Sequence, residues 1–195
     1  MTEEVDLDRI EERPTTEETP AEPAHRSRRA FILEALETVV LALALFLIIN
    51  AISARIRVEG SSMEPTLHNG ELVIVSKLHY FLGEPRREDV IVFHLPQDPD
   101  QEYIKRVVGL PGDHIEIKEG QVLVNGERLE EPYLDYAPIY SGSWDVPQDS
   151  LFVLGDNRNN SSDSHEWGPV PLDYVVGKAL LVYWPPDAWR TITAR

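Results

Sequence analysis

The apolar positions of this chain follow two regimes. Residues 38–54, TVVLALALFLIINAISA, contain no charged side chain. At 1.5 Å of rise per residue they would make about 25 Å of helix, slightly short of a bilayer's hydrocarbon core. Extension back to Ala30 adds Phe31, Ile32, Leu33, Ala35 and Leu36 together with Glu34 and Glu37, which can lie at the interface. The pattern predicts a transmembrane anchor over residues 30–54. From Arg55 onward the period is that of strands. Residues 72–75 and 90–93 are β-branched runs bounded by polar residues, and 104–108 reads as a further strand stopped by Gly109-Leu110-Pro111-Gly112. Residues 114–118 and 121–124 alternate apolar and polar, and Asn125-Gly126 after them is a hairpin-turn signal. Residues 129–149 carry no period and suggest a long loop or a small excursion. Short strands follow at 150–154 and 174–183, the latter with Gly177 as a bulge. No long amphipathic helix follows residue 54, so the pattern predicts a mainly β domain over residues 55–195.

Charge changes this picture at the N-terminus. The chain has 195 residues and a formal net charge of −16, which argues against a nucleic-acid partner. Residues 1–24 hold nine acids against Arg9 and Arg13 and almost no large apolar group, so they cannot bury enough surface to fold. His25-Arg26-Ser27-Arg28-Arg29 then reverses the sign. Residues 1–29 are therefore expected to be a disordered acidic tail with a basic flank. By the positive-inside rule that flank puts the tail in the cytoplasm and the β domain on the outer face of the plasma membrane, although Arg55 and Arg57 flank the other end. Ala51-Ile52-Ser53 offers small residues at −3 and −1 of a signal-peptide cleavage site, but it reads as the last helical turn, and a retained single-pass anchor is the expectation. The absence of cysteine excludes disulfides, thiolate zinc sites and cysteine nucleophiles.

The candidate chemistry lies in turns. In Val58-Glu59-Gly60-Ser61-Ser62-Met63-Glu64-Pro65-Thr66-Leu67, Gly60 permits a backbone turn and Pro65 keeps Glu64 out of helix, which puts Ser62 on a rigid loop. A serine nucleophile needs a base. Of the six histidines, none has a sequence context that marks a triad member, and no pair has helical metal-ligand spacing. Neither a metal nor a cofactor is expected. A lysine can serve if burial lowers its pKa from about 10.4. Lys105 in Tyr103-Ile104-Lys105-Arg106-Val107-Val108 would share a strand face with Tyr103 and Val107, while Ile104 and Arg106 point the other way. That setting could desolvate it; a solvent-facing lysine is the plainer alternative.

Taken together, the stretches resemble the ordered boxes of type I bacterial signal peptidases. They are Gly60-x-Ser62-Met63-x-Pro65-Thr66-Leu67; Arg87-x-Asp89-Val90-x-Val92-Phe93; Tyr103 through Asp113 as YIKRVVGLPGD; and Gly155-Asp156-Asn157-Arg158-x-Asn160-Ser161-x-Asp163-Ser164. The resemblance implies an antiparallel-sheet, partly closed barrel behind one transmembrane helix, with residues 112–149 as a small β excursion. It implies Ser62 as nucleophile, neutral Lys105 as its base and an acyl-enzyme intermediate. Ser161 would hydrogen-bond the Lys105 amine, Asp163 would brace that loop, and Asp156, Arg158 and Arg106 would form a supporting charge network. The Ser62 N–H would be one oxyanion donor.

The sequence departs from the family pattern twice. Gly60 stands where some members carry a serine hydroxyl as second oxyanion donor, whose loss can cost about 10²–10³ in rate. His165 stands where an arginine is common, so an ion pair to Asp163 would depend on pH, with a modest effect expected on the loop and none on the nucleophile.

The implied substrates are secretory preproteins cut after small residues at −1 and −3, with Val58, Met63, Leu67, Tyr103 and Ile104 lining two shallow pockets. Ser62 lies eight residues past Ala54, at most about 28 Å of extended chain, which keeps it close to the membrane lipid. Trp184, Trp189, Phe81 and Leu82 could dip into the interface. Two other readings are a dyad relative with a narrower task, such as a self-cleaving repressor or pilus-assembly peptidase, and an anchored β-barrel binding module with a dead site.

Overall fold

The computed structural model describes residues 28–192. Two compact units separate, one up to Ala42 and one from Leu43 onward. Helix α1 (Arg28–Ile52) carries no charged side chain after Glu37 and buries no residue. It is the described helix long and apolar enough to cross a membrane. Its Leu, Ile, Val and Phe side chains lie open, an arrangement that water penalises and lipid does not. The helix stops two residues before the predicted limit. Ser53 and Ala54 instead open strand β1 (Ser53–Arg57), where pairing opposite Ser76 and Val75 satisfies their backbone in a ladder. The acidic segment 1–27 lies outside the described residues.

The second unit is built from strands β2 (Leu72–Ser76), β3 (Val90–Leu95), β4 (Asp98–Gly109), β5 (His114–Lys118), β6 (Gln121–Val124), β7 (Glu127–Arg128), β8 (Gly142–Asp145), β9 (Ser150–Leu154), β10 (Val170–Pro171), β11 (Val175–Trp184) and β12 (Arg190–Thr191). Two one-turn helices, α2 (His79–Leu82) and α3 (Ser164–Trp167), interrupt them. The main sheet runs β1-β2-β11-β3-β4-β9-β10, antiparallel at every pairing, with β12 beside β11. The predicted excursion is a second sheet, β7-β6-β5-β8. Asn125 and Gly126 turn its β6–β7 hairpin with φ of 54° and 85°, as an Asn-Gly pair favours.

Burial explains why some strands alternate and others do not. In β5 only Ile115 and Ile117 are buried, since one face meets solvent. Residues 90–93 and all of β9 are buried on both faces and read as continuous apolar runs. Val90 and Val92 pack with Val58, Met63 and Leu67, whereas Ile91 and Phe93 pack with Val107, Leu151 and Val170. A third cluster ties the second sheet to Val108, Phe152 and Leu154.

The fold leaves two edges unpaired around one groove. β1 ends the sheet order, and the first half of β4 pairs only with β3, because β9 joins β4 from Arg106 onward. Between these edges lies a groove of about 860 Å³. Gly177 marks the predicted register shift between β11 and β3, and a Cβ there would strike the Ser76 carbonyl of β2. Gly177→Ala is expected to destabilise the domain by about 1–3 kcal/mol through this overpacking, read as a lower urea midpoint in detergent.

Candidate active site

The loop from Val58 to Leu67 is held from beneath by its apolar side chains. Val58, Met63 and Leu67 are at most 2% exposed and belong to the core. Contrary to expectation, none of the three lines the groove, and burying three large apolar groups is what fixes the loop. Tyr103 and Ile104 do line the groove, as do Ile56 and Val92, which sequence reasoning had not singled out. Gly60, at φ 81°, donates its N–H to Asn69 Oδ1 at 3.0 Å and makes the turn that leads into Ser61 and Ser62. Arg190 clamps the far end, donating to Thr66 O and pairing with Glu71.

Ser62 meets Lys105 in this groove. Lys105 lies on β4, is 3% exposed, and places Nζ 2.8 Å from Ser62 Oγ and 3.1 Å from Ile104 O. As the alternation implied, it shares a face with Tyr103, whose ring centroid is 5.2 Å from Nζ. Burial pushes the Lys105 pKa down to about 8, against the opposing pull of Asp163 and Asp156. A large fraction of the amine is therefore neutral at mildly alkaline pH, with a lone pair in reach of the Ser62 hydroxyl proton. The Ser62 backbone N–H donates to no group among the described residues and is open to a ligand.

The loop after β9 holds the nucleophile loop in place. Asn157 N donates to Ser62 O at 3.0 Å, Asn157 Nδ2 to Ser61 O at 3.1 Å, and Asn160 Nδ2 to Ser61 Oγ at 2.9 Å. Gly155 is required here because a Cβ would collide with Ser161 Oγ and Ser62 O. Ser161 itself is placed differently from the expectation. Its Oγ is buried without a hydrogen-bond partner, and Lys105 bonds Ser62 and Ile104 instead.

The charged residues form separate pairs. Arg106 and Asp156, both about 1% exposed, make two hydrogen bonds of 2.8 and 2.6 Å, and Arg106 also reaches Thr66 Oγ1. Burial opposes the Arg106 charge, but the bonds to Asp156 outweigh it and raise its pKa. Arg158 binds the Gly155 carbonyl through Nε and the Glu131 carboxylate through both terminal nitrogens. Asp163 is fully buried. Its Oδ2 accepts from Gly155 N at 2.9 Å and its Oδ1 meets His165 Nδ1 at 2.6 Å, which raises the His165 pKa. The Arg87-x-Asp89 box is structural too, with Arg87 on Asp113 and Asp89 between Lys178 and Tyr80.

Sequence reasoning missed Glu131 and Tyr133. Both sit in the aperiodic stretch after β7, yet Glu131 neutralises Arg158 and the Tyr133 ring lies 3.9 Å from the Arg106 guanidinium carbon. No local signal marked them. None of the described histidines is a hydrogen-bond partner of Ser62. His114 links Asp145 and Ser143, but on the second sheet and not in the groove. No group of three metal-ligating side chains occurs among the described residues.

The model of the family described as "Signal peptidase, peptidase S26" matches residues 32–184. A signal peptidase I of Leptolyngbya laminosa is 43% identical over 183 residues, covering 88% of this chain and 90% of its own. A signal peptidase I of Bacillus caldolyticus is 43% identical over 162 residues, covering 75% and 85%. A crystal structure of a signal peptidase I from Enterococcus faecalis aligns with 49% of this chain and 97% of its own at 32% identity, with a TM-score of 0.46. The family model and the two sequence relatives show that the chain belongs to the S26 family of signal peptidases, hydrolases that cleave signal peptides.

Proposed function

We propose that Ser62 and Lys105 are the catalytic dyad, and that this enzyme removes signal peptides through an acyl-enzyme formed on Ser62. The observation that carries the reading is the 2.8 Å contact between Ser62 Oγ and the buried Lys105 amine. In its neutral form the amine accepts the Ser62 proton as Oγ attacks the scissile carbonyl carbon. The oxyanion takes the Ser62 N–H, and the Ser61 hydroxyl, which accepts from Asn160, lines the same groove. The resulting ammonium passes its proton to the leaving amine. A water then repeats the sequence on the ester with Lys105 again as base, and regenerates the hydroxyl.

The preprotein lies in the groove as an extended strand, with main-chain bonds to the free edges of β1 and β4. Val92, Tyr103 and Ile104 bound the subsites for −1 and −3 and admit only small side chains there. Asp163, Asp156, Arg106, Arg158 and Glu131 act on the loops and do not touch substrate. The protein is membrane-anchored. α1 crosses the plasma membrane with Arg26, Arg28 and Arg29 on the cytoplasmic side, which leaves the peptidase domain on the outer face.

Detergent-solubilised protein is expected to cleave a preprotein with Ala at −3 and −1. Ser62→Ala and Lys105→Met should each lower kcat by about 10⁴-fold or more. Full activity in Lys105→Met would sink the dyad. Because Lys105 must be unprotonated, kcat/KM should rise with pH through the Lys105 pKa of about 8, and a limb centred near the ordinary histidine value would point to a different base. Glu131→Ala strands the Arg158 guanidinium in the interior and should cost about 3–5 kcal/mol, measured as a drop in the urea midpoint.

A further inference from the structure

His165 is a feature of this site that the reading above leaves without a task. Its side chain is 17% exposed, and Nδ1 lies 2.6 Å from Oδ1 of a carboxylate with no solvent access at all. The Tyr140 ring stacks on the imidazole at 4.0 Å between centroids and 15° between planes. Such a face favours a cation. The ionisable groups around it are Asp163 and Glu166 from its own turn, with Glu166 Oε1 3.9 Å from Nε2, and Tyr140 from the segment between β7 and β8. Tyr140 in turn feels the buried Arg158–Glu131 pair. Every ionisable group in direct contact with His165 is neutral or negative. These contacts stabilise its charged form and raise its pKa, with the bond to Asp163 first and burial opposing.

Asp163 connects this pair to the dyad. One of its oxygens meets His165, and the other takes the N–H of Gly155, the residue packed against Ser62 O and Ser161. The same carboxylate stabilises the ammonium form of Lys105. Chemistry at Ser62 needs the amine form, so an uncompensated Asp163 works against the base. A cation on the far oxygen offsets that field.

We propose that His165 is a positioning residue of the dyad. As an imidazolium it satisfies Asp163 and lets Lys105 release its proton; as a neutral imidazole it leaves Asp163 to hold Lys105 protonated. The charge on His165 thus sets the pH at which the base becomes available. An arginine at this position would supply the cation at every working pH, whereas histidine supplies it only on the acid side of its own titration. This goes beyond the expectation of an effect confined to the loop. It rests on the dyad reading for its catalytic meaning and on the Asp163 geometry for its physics.

Lysine titration separates the two. The full-length protein in detergent, labelled with ¹³C at the lysine ε-carbons and assigned with Lys105→Arg, reports the Lys105 midpoint by NMR without any cleavage. Opposite charges within about 4–6 Å move a pKa by about 1–3 units, and the effect relayed through Asp163 should be smaller. His165→Arg is expected to titrate Lys105 at least about half a unit below His165→Gln. The wild-type curve should run between the two, nearer the arginine variant on its acid side, because the sites are coupled. The acid limb of kcat/KM should move in parallel. Coincident Lys105 midpoints in the arginine and glutamine variants would overturn the proposal. So would activity that falls in His165→Gln and returns in His165→Arg with no movement of the limb, the result of a purely structural role. A midpoint shift in protein that cleaves nothing would keep the coupling and sink the dyad reading instead.

Discussion

The proposed chemistry depends on an amine in the protein interior that gives up its charge more easily than a free lysine. Lys105 is almost fully buried, and loss of hydration is the main force that lowers its pKa. Two carboxylates nearby, Asp156 and Asp163, push the other way. Interior carboxylates that stayed unpaired would raise the lysine pKa and remove the base. The structure pairs each of them, Asp156 with the Arg106 guanidinium and Asp163 with the His165 imidazole, which is a cation only when protonated. Low lysine pKa is therefore a property of the whole charge arrangement and not of one strand.

The same pairs fix backbone. Arg106 reaches from Asp156 to Thr66 and the Glu88 carbonyl, so one guanidinium ties the nucleophile loop, the loop before β3 and the loop after β9. Arg158 carries Glu131 to the Gly155 carbonyl, while Asp163 holds the Gly155 amide. Gly155 is gripped at both its polar atoms, and its missing side chain is what allows Ser161 and Ser62 O to approach. Precise placement of Ser62 comes from hydrogen bonds to main chain, with apolar anchors below.

Legibility in the sequence tracked locality. The Asn-Gly hairpin, the Gly177 register shift, the face of Lys105 and most of the longer strands could be read because each depends on neighbours a few residues away, whereas β1, β8 and the first half of β4 were not. The ordered boxes carried the family, and with it Ser62, Lys105 and Asp163. Val58, Met63 and Leu67 were misjudged because closeness to the nucleophile in sequence does not say which side of a loop a side chain takes; all three went to the core. Glu131 was invisible because its partner, Arg158, lies 27 positions later across a stretch without period. Ser161 was given a lysine partner by analogy, but here its hydroxyl is turned into the interior with none.

The two unpaired edges have a cost of their own. A groove walled by the bare backbones of β1 and β4 offers the same row of amides and carbonyls to every extended chain, whatever its side chains. If a preprotein binds to these edges as proposed, its affinity is spread over all unfolded polypeptide, and discrimination falls to what the subsites refuse. On that reading, mature segments and spent leader fragments compete with the true substrate. Turnover then hinges on how quickly the groove lets go of chains it cannot cut.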